Sequence, residues 1–514
     1  MNRRSIAFLF AIFVIAIIVW RIFASSRPPI ELQIRQETTF FTEPLRADGT
    51  VDYAAAINER ASRDILPDQN ACVVLQQALG PSKDIPASYY EQLGISAVPD
   101  TGIYLKDIQQ KDLVSEGLTP PEVDVVFEKY GQLLRQPWQR AEFSRFGNWL
   151  DDNEKPLERV HEASLKPEYY SPLAWDTESA PERRQLLLSI KNFQPMQMQM
   201  IGRILCCRAM LHLGEGETQA AWNDLLACRR LARLASRGST LMDLLYSHQM
   251  DEMAYDGMLV LLQFSKPTIE ALAQYKTDVD QLPPFAPVLD VLNISERCNF
   301  LDAVCGMAIG KIDGQELIGI EGKEKMASVQ LIDWNVALER ANSYYDQFIV
   351  AAQLPTHAKR CAAADRIVAP LKDTESLNGP SVWRSQSHNG EAMADLIATL
   401  MLPATKAFHQ VEAESLQREA NLELVFALMK YHLKHESYPS TLKELVPEYL
   451  PEIPQDLFSE SPVHFELVEN GFLFYSFGPN LKDNGGSDNR PADEDDLKVR
   501  FPSERNAEND TDVE

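Results

Sequence analysis

Fifteen consecutive apolar residues, Ile6 to Trp20, open the chain, with Arg3 and Arg4 before them and Arg21 directly after. At about 1.5 Å per residue, Ser5 to Ala24 spans about 30 Å, the hydrocarbon thickness of a bilayer. Residues 1–25 are read as a single transmembrane anchor, with Trp20 at the interface and Arg21 snorkelling outward. A cleaved signal peptide ending near Ala24-Ser25-Ser26 is the competing reading of the same pattern. Both place the bulk of the chain beyond the cytoplasm, expected in the periplasm; the anchor reading also holds it to a bacterial inner membrane. Residues 26–51 are largely polar and carry Arg27-Pro28-Pro29, the composition of a linker.

From residue 52 to about 400 the apolar positions recur at helical spacing. NACVVLQQAL has an N-cap in Asn70 and a stop at Gly80-Pro81. PPEVDVVFEKYGQLL begins on proline and sets Val123, Phe127, Tyr130 and Leu134 on one side. Two long helices then flank GEGE, with Trp222, Leu225, Leu226 and Cys228 expected inward and Arg229, Arg230 and Arg233 outward. A short glycine-containing link between amphipathic helices predicts an antiparallel hairpin. Further helices are expected over 240–264, 295–309 and 327–353. The region is therefore an all-α body of helical hairpins, without a tetratricopeptide repeat consensus.

The period changes once more near the end. ESLQREANLELVFALMKYHLKHE, residues 414–436, is an amphipathic helix carrying Leu416, Leu424, Phe426, Leu428 and Met429, closed by Tyr438-Pro439. In VHFELVENGFLFYSF, Val463, Phe465 and Leu467 alternate, Asn470-Gly471 is the expected turn, and Phe472, Phe474 and Ser476 alternate again. Leu497, Val499 and Phe501 share one face of a third strand. Residues 405–502 thus form a small α+β module, a helix on a three-stranded antiparallel sheet. Residues 503–514 are acidic and unpatterned, as in a disordered tail.

Charge narrows the partners. With 49 Lys and Arg against 75 Asp and Glu, the net charge of −26 argues against nucleic acid, whose phosphates need clustered cations. The seven cysteines contain no CxxC pair, so neither a zinc ribbon nor a dithiol redox motif is present. Cys298 and Cys305 fall on one helix face as small core residues.

Between Ser476 and Leu497 lies a segment rich in carboxylates and interrupted by Gly485-Gly486. Asp483, Asp488 and Asp496, then Asn480, are the favoured oxygen donors for a structural calcium ion, which takes six to eight oxygens at about 2.3–2.6 Å. A hydrated loop without an ion is the alternative. The order of long helix, Tyr438-Pro439, PQDLFSESPV, hairpin and YSFGPNLKDNGG leading to DEDDL resembles the globular domain of the type II secretion major pseudopilin. That resemblance covers residues 411–501 and implies a calcium loop at Ser476, Gly478, Asn480, Gly485, Gly486 and Asp495 or Asp496. Asn480 stands where the family has Asp, and no prepilin-peptidase site precedes the anchor. The whole arrangement is similar to large uncharacterised bacterial envelope families.

Catalytic motifs are missing: no GxSxG, Walker A, GxGxxG after a strand, or HExxH occurs. His432 with His435, His248 with Glu252, and His388 with Glu391 are pairs that read better as surface or turn residues. Asn389 is expected to cap the helix after it. Trp334, Tyr344, Tyr345 and Phe348 read as core rather than as a groove. The leading expectation is a non-enzymatic, membrane-anchored envelope protein whose helical body binds a protein partner. A pseudopilin-like component of a secretion or pilus apparatus, and a hydrolase with scattered residues, are the alternatives.

Overall fold

The computed structural model describes residues 30–175, 186–312, 331–372, 385–402, 405–486 and 495–502. The expected anchor (1–25) and acidic tail (503–514) lie outside them. Among the described residues no helix is long and apolar enough to cross a membrane. The described chain is mainly helical, with one small antiparallel sheet.

A single helical turn, Gln36–Thr39, falls within the expected linker, with Thr38 and Thr39 buried. The helices after it are short: α1 (Tyr53–Ala61), α2 (Ala71–Leu79), α3 (Ala87–Gln92), α4 (Gln110–Ser115), α5 (Pro120–Leu133), α6 (Ser144–Asp152) and α7 (Glu154–Ser164). Asn70 caps α2 as expected, its Oδ1 accepting from the Cys72 N–H at 3.0 Å. The same side chain also bonds both backbone groups of Tyr170, tying α2 to the chain after α7. On α5 the inward residues are Val123, Tyr130 and Leu133, whereas Phe127 is exposed, so the buried stripe is rotated from the expected one.

Three long helices follow: α8 (Gln194–Gly214), α9 (Thr218–Ala235) and α10 (Leu241–Ser265). The turn after α8 bends at Gly216, where φ is +83°, a conformation that favours glycine. All three helices pack on one another, so the expected hairpin is part of a three-helix bundle. Trp222, Leu225, Leu226 and Cys228 are buried as expected. Arg229 and Arg233 are buried too, and the expected outward face is corrected there. Arg229 forms a two-bond pair with Asp251 of α10, both bonds at 3.0 Å. Glu419, almost two hundred residues later, bonds both arginines.

After α11 (Ile269–Asp280) comes a π-helical turn, Val291–Glu296, that runs into α12 (Arg297–Ala308). This helix, α13 (Trp334–Ala352), α14 (His357–Val368) and α15 (Gln386–Met401) enclose a second core. Cys298, Cys305, Trp334, Tyr344, Tyr345 and Phe348 are buried there, as expected. Ser385, not Asn389, caps α15, accepting from the His388 N–H at 3.2 Å. Asn389 is buried and donates to the Leu331 carbonyl at 2.9 Å instead.

The last helix, α16 (Thr405–His435), is longer than its apolar pattern suggested. Leu416 is exposed, while Leu422, Leu424, Val425, Phe426, Ala427 and Leu428 are buried. Burial on nearly all sides follows because α16 contacts α10, α11 and α14 as well as strand β3. The sheet has the order β1 (His464–Val468), β2 (Gly471–Ser476), β3 (Leu497–Phe501), antiparallel throughout. Its hairpin turn is Glu469-Asn470, not Asn470-Gly471: Asn470 takes the positive φ of +59°, and Gly471 already pairs with Val468. A Cβ on Gly471 would lie 1.7 Å from the Phe501 carbonyl oxygen, so the glycine is needed for the close approach of β3.

Candidate metal centre

Every residue of β2 is buried, so both faces of that strand are covered. One face places Phe472 and Phe474 against the core shared with α16. The acidic segment after Ser476 folds back over the other. Gly486 sits under the Tyr475 ring, where a Cβ would come within 3.1 Å, and the ring of His464 stacks on Tyr475 at 4.6 Å. Gly478, with φ of +64°, lets the two ends of the segment touch: a Cβ there would meet the Asp495 carbonyl oxygen at 2.2 Å.

Asp456, within the PQDLF stretch, organises the base of this loop. Its Oδ1 accepts from Ser476 Oγ at 2.6 Å and the Phe458 N–H at 2.9 Å. Its Oδ2 accepts from Ser459 Oγ at 2.7 Å and the Phe477 N–H at 3.1 Å. A buried carboxylate with four donors is satisfied, so Asp456 positions the loop and is not free to hold an ion. Sequence reasoning did not single it out; the partners that tie it to the loop, Ser476 and Phe477, lie about twenty residues on, beyond any local pattern.

The sequence-predicted ligands fall in this loop. Asp483 Oδ1 accepts from Tyr475 Oη at 3.0 Å and the Gly485 N–H at 2.9 Å. Asn480 donates from Nδ2 to Asn484 Oδ1 at 3.1 Å, and its N–H donates to Asp495 Oδ2 at 3.1 Å. Asp496 is 3% exposed, and its Oδ2 accepts from the Asn484 and Gly486 N–H groups at 3.1 and 2.8 Å. At this point Gly486 turns its N–H, rather than its carbonyl, toward the carboxylate. Asp488 lies outside the described residues.

Asp495 Oδ1 and Asp496 Oδ1 are buried without a hydrogen-bond partner. Burial pushes the Asp496 carboxyl above its ordinary range, and the neighbouring Asp483 and Asp495 charges push the same way, partly offset by the two N–H donors. Adjacent carboxylates, each with one buried and unmatched oxygen, suit a hard cation that takes oxygen donors. Among the described residues, no group of three His, Cys, Asp or Glu is arranged to hold a metal. An ion here would draw further oxygens from amides and backbone carbonyls, as calcium sites do.

The other candidate pairs resolve differently. His432 stacks on Tyr438 at 4.3 Å, and His435 reaches Tyr449 Oη at 3.1 Å. His248 is not a surface residue: it is buried, stacked on Phe285 at 4.1 Å, with neither ring nitrogen bonded, while Glu252 pairs with Arg418. His388 and Glu391 stay exposed, 3.6 Å apart. One cluster escaped the sequence reading. Asp224, buried in α9, accepts from Arg208 at 2.6 and 2.8 Å and lies 2.6 Å from His161 Nε2. The Arg208 charge holds this carboxyl below the usual carboxylate range despite its burial. Its members come from α7, α8 and α9, so only tertiary packing assembles it.

Comparison with protein-family models, curated proteins and solved structures found no match.

Proposed function

We propose that this chain is a non-enzymatic, membrane-anchored envelope protein whose helical body serves as a binding scaffold and whose C-terminal sheet is stabilised by calcium. The anchor is inferred from the apolar run at Ile6 to Trp20, and the pseudopilin-like character of the module from the order of its motifs. The observation that carries the calcium reading is the pair of buried, unpartnered oxygens, Asp495 Oδ1 and Asp496 Oδ1. A calcium ion would take both of them, with Asp483 and Asn480 as further donors from the loop, and would lock β3 to β2. Its proposed role is structural: an ion bound at Asp495 and Asp496, directly before β3, would fix that strand's register on β2.

Thermal unfolding of the chain in calcium, in magnesium and in chelator tests this. At a calcium concentration one hundred times Kd, the gain is about 2.7 kcal/mol. The expected result is a calcium-specific rise in Tm that Asp496→Asn abolishes. Equal curves in calcium and chelator overturn the ion reading and leave a carboxylate loop held by backbone N–H groups.

A further inference from the structure

Burial has shut down most of this chain's thiols. Cys72, Cys206, Cys207, Cys228, Cys298 and Cys305 are buried, and burial pushes the Cys72 thiol up to about 11 and those of Cys207, Cys228, Cys298 and Cys305 upward as well. Protonated, enclosed thiols are inert. Cys361 is the half-buried one. It lies on the second turn of α14, and His357, one turn earlier, brings Nε2 to 3.4 Å from its sulfur.

The imidazole is placed as a base. Its ring is hydrogen-bonded to the backbone of His409 on α16 and packs edge-on against Phe458 at 4.9 Å. Burial lowers its pKa, so at neutral pH it carries a lone pair rather than a second proton. Among the described residues, the charged and titratable groups around it are Arg360 on its own helix, and His409 and Glu412 on α16; Arg360 and Glu412 pair at 2.8 Å. A second observation marks the spot as unfinished. His409 is 1% exposed, yet neither of its ring nitrogens has a hydrogen-bond partner. A neutral imidazole always presents one N–H and one lone pair, and leaving both unmatched in the interior is costly.

We propose that Cys361 is a thiol–disulfide exchange site, activated by His357, that accepts a small disulfide bearing polar acceptor groups. His357 takes the thiol proton as the sulfur attacks one sulfur of the incoming disulfide. The new bond joins Cys361 Sγ to that sulfur, the old S–S bond breaks, and the leaving thiolate takes the proton from His357. The disulfide is the oxidant, so electrons balance without a further reagent. The half-buried sulfur favours a small reagent over a protein. An oxygen acceptor on the adduct would match the unpaired N–H of His409.

Glutathione disulfide is a suitable probe, with the modified residue located by peptide mass after incubation of the full chain. A single adduct at Cys361 is expected, absent in Cys361→Ser. Its rate should fall about tenfold or more in His357→Gln, the scale of losing general-base assistance. The pH profile of the unsubstituted chain gives a reading that needs no variant: the rate should already be near its plateau at neutral pH. A rate that climbs steadily to about pH 8.5, as for an unassisted thiol, overturns the proposal. So does an unchanged rate in a folded His357→Gln chain, or an adduct at another cysteine.

Discussion

Arg229 shows what a single residue can demand of a fold. Its side chain is fully buried, held by Asp251 and Glu419, and it draws a charged triad into the space between α9, α10 and α16. Removing one partner from a buried pair leaves an uncompensated charge, typically at about 3–5 kcal/mol. Arg229→Ala should therefore lower the urea midpoint strongly, whereas replacing Arg229 and Asp251 together by apolar residues of similar volume should recover much of the loss. A single-variant cost below about 1 kcal/mol would show that water reaches the site. His248 and His409 make a second demand. Burial lowers each to about 4 from an ordinary 6.5, so both are neutral in the fold. A depressed pKa contributes stability that is complete above pH 6.5 and lost as pH falls toward 4, at up to about 1.4 kcal/mol per pH unit for each group. Denaturant midpoints measured between pH 7 and 4 should fall accordingly, and His248→Phe should flatten part of that slope. Asp496 has the opposite sign. Its raised pKa means the metal-free loop is most stable with the carboxyl protonated, and stability is lost as pH rises through the folded value. Calcium must compete with that proton, so the calcium-induced rise in Tm should shrink on acidification.

At the scale of elements, the cap and stop of α2 were legible because their physics is local: Asn70 bonds a backbone N–H two residues away, and the helix ends at Leu79, before Gly80. The cap expected at Asn389 instead falls on Ser385, and the reciprocal cap of Thr240 with Asp243 at the start of α10 was not read from the sequence. Burial faces were less legible. Nothing near Arg229 in the sequence announces Glu419, and α16 looks one-sided until α10, α11 and α14 surround it. The hairpin misreading has a specific cause: Asn-Gly is the commonest two-residue turn, but here the positive φ falls on Asn470 alone. Gly471 serves the third strand instead, with its missing Cβ making room for the Phe501 carbonyl. Gly471→Ala should accordingly displace the end of β3 and cost about 1–3 kcal/mol, the usual scale of overpacking. Amide exchange would report it as lost protection on β3 before β1. Equal loss on all three strands would mean that the sheet opens only as a unit. The candidate metal loop was legible as composition, since Asn480, Asp483 and Asp496 do gather beside β2. Asp456, which fixes the loop's base, was not, because its role depends on a bend at 455–462 that brings it under Ser476.

Across the molecule, the apolar interior does not stop where the composition changes. One core runs from Cys72 and Leu75 of α2 through the α8–α10 bundle to Leu422–Met429 of α16, and on to Phe472, Phe474, Val499 and Phe501 of the sheet. The same long helix reaches α14 through His409 and Glu412, beside the second core. The sheet therefore stands on a helix whose other sides belong to the body. Cutting the chain before α16 would expose Leu422, Leu424, Val425 and Leu428 on the fragment and leave Arg229 without Glu419 on the body. Each fully exposed aliphatic side chain forfeits about 1.5–3 kcal/mol of burial, against a total stability of about 5–15 kcal/mol for a typical domain. Residues 405–514 expressed alone should consequently lack a cooperative unfolding transition, even in calcium. Co-expression with residues 26–404 should restore it by reassembly of the shared core. A sharp, calcium-dependent transition in the isolated fragment would instead make the sheet and its helix an independent domain, with the charged contacts around Glu419 serving only to orient it on the body.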